Sequence, residues 1–130
     1  MRLLGIDHVV LRVADPAVLE RFYVEVLGCT VERRQDEIGL VQLRAGEQLI
    51  DLVDIAGGLG RAGGAGPGVE GRNMDHLCLR VIDFDVDTVR LHLEAHGVTV
   101  GVVGSRYGST GEAISLYLSD PEGNGLELRG

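Results

Sequence analysis

Apolar and polar residues alternate from Gly5 to Val13, in a run rich in β-branched residues, which predicts a strand. Asp15-Pro16 then supplies a helix N-cap followed by proline at the first helical position. Val18, Leu19, Phe22, Tyr23, Val26 and Leu27 recur at three- and four-residue spacing, and Gly28 stands where a left-handed C-terminal cap is wanted. The pattern predicts a helix ending at about Leu27. Three strands are expected next, near 29–33, 38–44 and 48–54, with Gln35-Asp36-Glu37 and Ala45-Gly46 as turns.

That β-α-β-β-β order occurs twice. Met74-Asp75-His76-Leu77-Cys78-Leu79-Arg80-Val81 repeats Ile6-Asp7-His8-Val9-Val10-Leu11-Arg12-Val13 with five identities in eight at an offset of 68. The offset extends from Asp15 to Asp83 before each helix and becomes 69 between the closing glycines, Gly28 and Gly97. Later strands are expected near 98–103, 113–118 and 125–129. The glycine-rich stretch 104–111 between two of them reads as a mobile hairpin tip, and Asp120-Pro121-Glu122-Gly123-Asn124 as turn chemistry. Between the repeats, residues 57–71 hold eight glycines and Pro67, too little apolar surface to order by themselves, and read as a linker. The expected organisation is one domain over 1–130, with a first module at about 1–56, the linker at 57–71 and a second module at about 72–130.

Composition narrows the function classes. The 130 residues are 45% hydrophobic and 25% charged, ordinary for a globular chain. A formal net charge of -8 repels phosphate backbones and anionic headgroups, so neither nucleic acid nor membrane is expected as a partner. Cys29 and Cys78 lie in apolar runs and make no disulfide framework. With neither a signal-peptide core nor a membrane span at the N-terminus, the expected location is the cytoplasm.

Strand parity places the chemistry. Val9, Leu11 and Val13 share the face that should meet the helix, leaving His8, Val10 and Arg12 on the other; in the repeat His76, Cys78 and Arg80 take that other face. In the last strand of each module the carboxylate of Asp51 lies between Ile50 and Leu52, and that of Glu127 between Leu126 and Leu128, so each shares a face with a histidine. Two modules related by a pseudo-twofold axis would bring His8, Asp51, His76 and Glu127 to one divalent transition metal. Arg12 and Arg80 fall on the same face and are candidates for holding an anionic substrate. His92 and His96, spaced i, i+4, lack an accompanying carboxylate pattern and read as helix-surface residues. The chain has neither a Gly-Lys-Ser/Thr phosphate loop nor a Gly-x-Ser-x-Gly nucleophile turn.

The run Asp7-His8-Val9-Val10-Leu11, Arg21-Phe22-Tyr23 leading to Leu27-Gly28, Met74-Asp75-His76-Leu77, and Asp120 to Asn124 leading to Leu126-Glu127-Leu128 together resemble the vicinal oxygen chelate superfamily. That group includes glyoxalase I, methylmalonyl-CoA epimerase, fosfomycin thiol transferases, extradiol dioxygenases and bleomycin resistance proteins. The resemblance covers essentially the whole chain and implies an α+β fold of two tandem β-α-β-β-β modules, a curved mixed sheet around a metal cleft with helices outside. It puts His8, His76 and Glu127 on metal-ligand positions, with Zn, Ni, Co, Mn or Fe as the ion. Asp51 departs from the pattern, standing where glyoxalase I carries a glutamate and the epimerase a glutamine. The implied activity is a glyoxalase-like lyase or isomerase on a small substrate chelated by the metal, with Glu127 or Asp51 as the base. A dioxygenase, a thiol transferase or a non-catalytic antibiotic-sequestering protein are the alternatives. A homodimer is expected, because a half-open sheet leaves edges that an identical chain can cover.

Overall fold

The computed structural model describes residues 1–130 and divides into two compact units, Met1–Asn73 and Met74–Gly130. In the first, strand β1 (His8–Val13) leads to helix α1 (Pro16–Arg21), then to β2 (Thr30–Gln35), β3 (Leu40–Ala45) and β4 (Gln48–Asp54). In the second, β5 (His76–Arg80) leads to α2 (Val86–Ala95), β6 (Val103–Gly108), β7 (Gly111–Ser119) and β8 (Gly125–Arg129). The β-α-β-β-β order is thus present twice. Each unit holds a four-stranded mixed sheet, in the orders β1-β4-β3-β2 and β5-β8-β7-β6. In both, the first strand runs parallel to the last and the remaining pairs are antiparallel. No helix is long and apolar enough to cross a membrane.

Local chemistry explains the first helix. The Asp15 side chain accepts from the backbone N–H of Ala17 and Val18 at 3.1 Å, satisfying two donors that the helix start leaves free. The expected stripe then buries Leu19, Phe22 and Tyr23, the last two edge to face at 5.5 Å. The final turn differs from a regular α-helix: Phe22–Val26 winds as a π-helix before Gly28 closes it at φ +75°. The wider turn keeps Phe22 and Tyr23 both buried, and the helical segment packs on β4 and β3 over Leu43, Ile50 and Leu52.

The second unit departs from the expected offset in its loop before α2. Asp85, not Asp83, caps this helix, accepting from the Thr88 backbone N–H at 2.9 Å and the Thr88 hydroxyl at 2.7 Å. Asp83 instead takes a left-handed turn conformation at φ 51°. Two extra residues in the loop are therefore absorbed before the cap, which periodicity alone does not reveal. Gly97 closes the helix at φ +73°.

Two glycine-rich stretches carry pairing and contacts that their composition does not announce. The strand expected near 98–103 begins at Val103 and runs through the supposed hairpin tip, pairing Gly104 with Ser115, Arg106 with Ala113 and Gly108 with Gly111. A Cβ built on Gly108 would fall on the guanidinium of Arg129, which lies across the sheet in the space a side chain would take. The contacts of the 57–71 stretch group it with the first unit. Gly60 is buried so tightly that a Cβ would meet the Asp54 carbonyl oxygen at 1.9 Å. Arg12 donates from Nη2 to the carbonyls of Gly60 and Gly64 and from Nη1 to that of Ala65. Asn73 completes the tie, accepting from the Arg12 N–H and donating to the Arg12 carbonyl. A charged anchor and close backbone contacts hold what apolar burial would not.

Candidate functional site

Parity along β1 holds: Leu11 and Val13 are buried while His8 and Val10 are exposed. Across the parallel pair, Val10 lies beside Asp51, so His8 and Asp51 occupy the same face of the first sheet. The His8 Nδ1 lies 2.7 Å from the preceding Asp7 carboxylate. This hydrogen bond raises the imidazole's pKa, burial opposes the rise, and the charge of Asp51 adds to it. With Nδ1 held, Nε2 is the ring nitrogen left for a ligand.

Asp51 is buried on the central strand β4. Gln42, directly across from it on β3, donates to Oδ2 at 3.0 Å, while Oδ1 is buried with no partner. A buried carboxylate oxygen without a donor is costly, and a bound cation would offset that cost.

The second unit repeats this design with a fuller set of partners. His76 Nδ1 lies 2.6 Å from Asp75, and its Nε2 faces Glu127 Oε2 at 3.2 Å. Glu127 is buried on the central strand β8, with the Ser115 hydroxyl donating to Oε1 and the Tyr117 hydroxyl to Oε2 at 3.0 Å. Burial pushes the Glu127 pKa up, but the two hydroxyls and the charges of His76 and Arg129 outweigh it and hold the carboxylate below its ordinary range. The Tyr117 hydroxyl is raised by its burial and by Glu127. Cys78, beside Glu127 across the parallel pair, has its thiol raised by burial first and then by the carboxylate's charge, so it stays protonated at neutral pH.

Register explains the match between the units. Gln42 stands across from Asp51 just as Tyr117 stands across from Glu127. The four expected ligands therefore come together two by two, His8 with Asp51 and His76 with Glu127. No three or more His, Cys, Asp and Glu side chains form a metal-holding group. The donor types suit a divalent transition ion: imidazoles fixed at Nδ1, two buried carboxylates, and an orphaned buried oxygen on Asp51.

Arg12 shares the His8 face, but its guanidinium is tied to the carbonyls of the glycine-rich stretch. Arg80 is exposed and lies in register with Arg129. The rings of His92, on α2, and His96, just past its end, lie 4.4 Å apart at a 44° tilt, with the His92 carbonyl 2.8 Å from His96 Nδ1. Gln42, Ser115, Tyr117 and Arg129 were not singled out in the sequence. Their only signal is pairing register, which the Asp120 turn sets for β7 and β8: Asp120 Oδ1 accepts from the Glu122 and Asn124 N–H groups, and Gly123 takes φ +81°.

These two units, each with a histidine–carboxylate pair on one sheet face, define a glyoxalase-type α+β protein. The sequence matches the Glyoxalase/Bleomycin resistance protein/Dioxygenase superfamily over residues 5–128, and the chain belongs to that family. It is 34% identical over 128 residues to virulence protein STM3117 of Salmonella typhimurium, covering 95% of this chain and 81% of that protein. The crystal structure of that virulence protein superposes with a TM-score of 0.80 at 27% identity, over 99% of this chain and 98% of the other. Lactoylglutathione lyase from Agrobacterium tumefaciens shares the fold at a TM-score of 0.73 and 23% identity, over 99% and 95% of the two chains. TnmS3, an antibiotic binding protein from Streptomyces, shares it at 0.69 and 23%, over 99% and 97%.

Proposed function

We propose that this protein is a divalent-metal-dependent lyase or isomerase of the glyoxalase kind, acting on a small substrate held through adjacent oxygens. The ligands are His8, Asp51, His76 and Glu127, drawn from both units, either within one chain or between the two chains of a cytoplasmic homodimer. The observation that carries this reading is the duplicated pair: in each unit an aspartate-held imidazole shares a sheet face with a buried carboxylate on the central strand. A merely structural histidine would have no reason to recur with the same two companions.

The ion, when bound, would supply positive charge that stabilises negative charge developing on substrate oxygens. The chain's own residues do the rest. Asp7 and Asp75 fix the two rings so that Nε2 is the ligating atom. Glu127 is ionised at neutral pH and can accept a proton at Oε2, the oxygen shared with Tyr117 and facing His76, while Ser115 anchors Oε1. Asp51 is the alternative base, through its free Oδ1. Arg80 offers an exposed cation for an anionic substrate.

Metal analysis of protein purified without chelators tests the reading. It expects one divalent ion per site and, in competition with a chromogenic chelator, about tenfold to hundredfold weaker binding after His76→Ala or Glu127→Ala. Equal weakening by Asp51→Ala marks a four-ligand, glyoxalase-like set; unchanged affinity marks a three-ligand set of His8, His76 and Glu127, as in dioxygenases and thiol transferases. Reproducible absence of metal sinks the enzyme reading. The second reading, a ligand-sequestering protein, is motivated by the fold shared with the antibiotic binding protein and would then stand.

A further inference from the structure

The site face of the second sheet carries more positive charge than its one buried carboxylate uses. Arg129 lies on this face two residues beyond Glu127 and is 3% exposed, a rare depth for an arginine. Its Nη2 donates to the Gly111 carbonyl at 2.6 Å, and its Nε is buried with no partner. Glu127 feels the charge of Arg129, but the carboxylate's hydrogen bonds come from Ser115 and Tyr117. Arg129 is therefore not the other half of a closed ion pair. Other arginines of this chain are closed: Arg34 is forked on Glu20 and Arg44 is paired with Glu32.

Arg106 joins it from β6. It pairs with Ala113, on the parity of Ser115 and Tyr117, and its guanidinium carbon stands 5.6 Å from the Tyr117 ring centroid. The same Tyr117 donates to Glu127, so Arg106, Tyr117 and Glu127 are successive neighbours. Arg80 lies in register with Arg129 at the β5 edge. Two glycines lie beneath these side chains: the Arg129 guanidinium occupies the space of a Cβ on Gly108, and Arg106 Nη1 stands 2.9 Å from where a Cβ on Gly104 would be. In a chain of net charge -8, Arg129 beside Glu127, Arg106 over Tyr117 and Arg80 in register with Arg129 put positive charge on the sheet face that carries Glu127.

We propose that this face seats an oxyanion group of the substrate, a carboxylate or a phosphonate, with Arg129 and Arg106 as its binding residues and Arg80 at the entrance. The inference rests on the reading that the Glu127 face is the functional site, and it gives that site's substrate a charge. A guanidinium with a spare N–H, held rigid by Gly111, is suited to a planar or tetrahedral oxyanion, and burial strengthens the interaction. Placed there, the anionic group lies beside Glu127 and orients the rest of the molecule toward it.

The test uses the full chain stripped of metal, so that its outcome is independent of the metal reading. Methylphosphonate, acetate and neutral acetamide are titrated separately while the backbone and the arginine Nε–H resonances are followed by 15N-correlated NMR. The expected result is saturable shifts at Arg106, Tyr117 and Arg129 with methylphosphonate or acetate, whichever binds tighter naming the group, and none with acetamide. Arg106→Gln, at an exposed position, should weaken binding about tenfold, and Arg129→Gln at least as much, while Arg21→Gln on α1 stays within about twofold. Arg129→Lys keeps the charge and removes the Nε–H, giving an intermediate loss. Should Arg129→Gln fail to fold, Arg106→Gln decides alone. The proposal is overturned if neither anion saturates, if acetamide binds as well, or if Arg106→Gln binds like the parent. A protein that takes up metal yet shows no anion binding overturns only this proposal; anion binding without metal uptake overturns only the metal reading.

Discussion

Replacing Ser115 by alanine isolates the interaction that keeps Glu127 ionised. Ser115 is fully buried, and its hydroxyl donates to Glu127 Oε1 deep in the second sheet. The substitution removes three things in unequal measure: one hydrogen bond to a charged acceptor, a single oxygen atom of volume, and the satisfaction of one carboxylate oxygen. A hydrogen bond to a charged group contributes about 1.5–3 kcal/mol, and the small cavity adds a few tenths at most, so Ser115→Ala should destabilise the metal-free protein by about 2 kcal/mol at pH 7. Glu127 is held below its ordinary range, so its contribution is present above the unfolded-state value near 4.5 and is lost as pH falls through the lower folded-state value. The penalty of Ser115→Ala should accordingly be largest at neutral pH and shrink in acid, where Glu127 is protonated in both proteins. Urea denaturation at pH 7 and at successively lower pH measures it, with carboxyl NMR following Glu127 directly, whose pKa must move upward in the variant. An equal loss at every pH would show that the hydroxyl acts by packing alone, and a Glu127 pKa that does not rise would refute the electrostatic account.

Three further outcomes follow from particular contacts. Asp7→Asn should lower the His8 pKa, seen by imidazole NMR. The contribution of that pair is present below about 6.5 and is lost as pH rises through the raised folded-state value, so the variant's deficit is confined to acid and near-neutral pH. Gly108→Ala should cost about 1–3 kcal/mol in thermal or urea unfolding, because the added methyl collides with the Arg129 guanidinium; wild-type stability would show that the guanidinium moves freely. Arg12→Gln should release the 57–71 stretch, raising its amide exchange and its cleavage by protease while the protection of β3 and β4 is kept; unchanged protection of 57–71 would show that backbone contacts alone hold it.

What the sequence determined by itself is what repetition and short-range periodicity encode. The eight-residue repeat with His8 and His76, the 3.6-residue stripe of α1 with Asp15 before it and Gly28 after it, and the alternation around Asp51 and Glu127 depend on neighbours a few residues apart. Such patterns are legible because side-chain direction follows directly from chain geometry. The doubled fold, the buried helix face and the sheet face shared by each histidine and carboxylate were legible for that reason. Where contacts join distant segments, the sequence was silent. Glycines at 60, 63, 104 and 108 read as flexible, yet Gly60 lies against the backbone at Asp54 and Ile55, and an arginine side chain lies where a Cβ on Gly63, Gly104 or Gly108 would be. Asp85 replaces Asp83 as a cap because loop length, not repeat spacing, decides where α2 starts. Gln42 beside Asp51, Ser115 and Tyr117 beside Glu127, and the buried cation of Arg129 are set by strand register and burial. Those depend on hydrogen-bond pairing between strands that only tertiary structure completes.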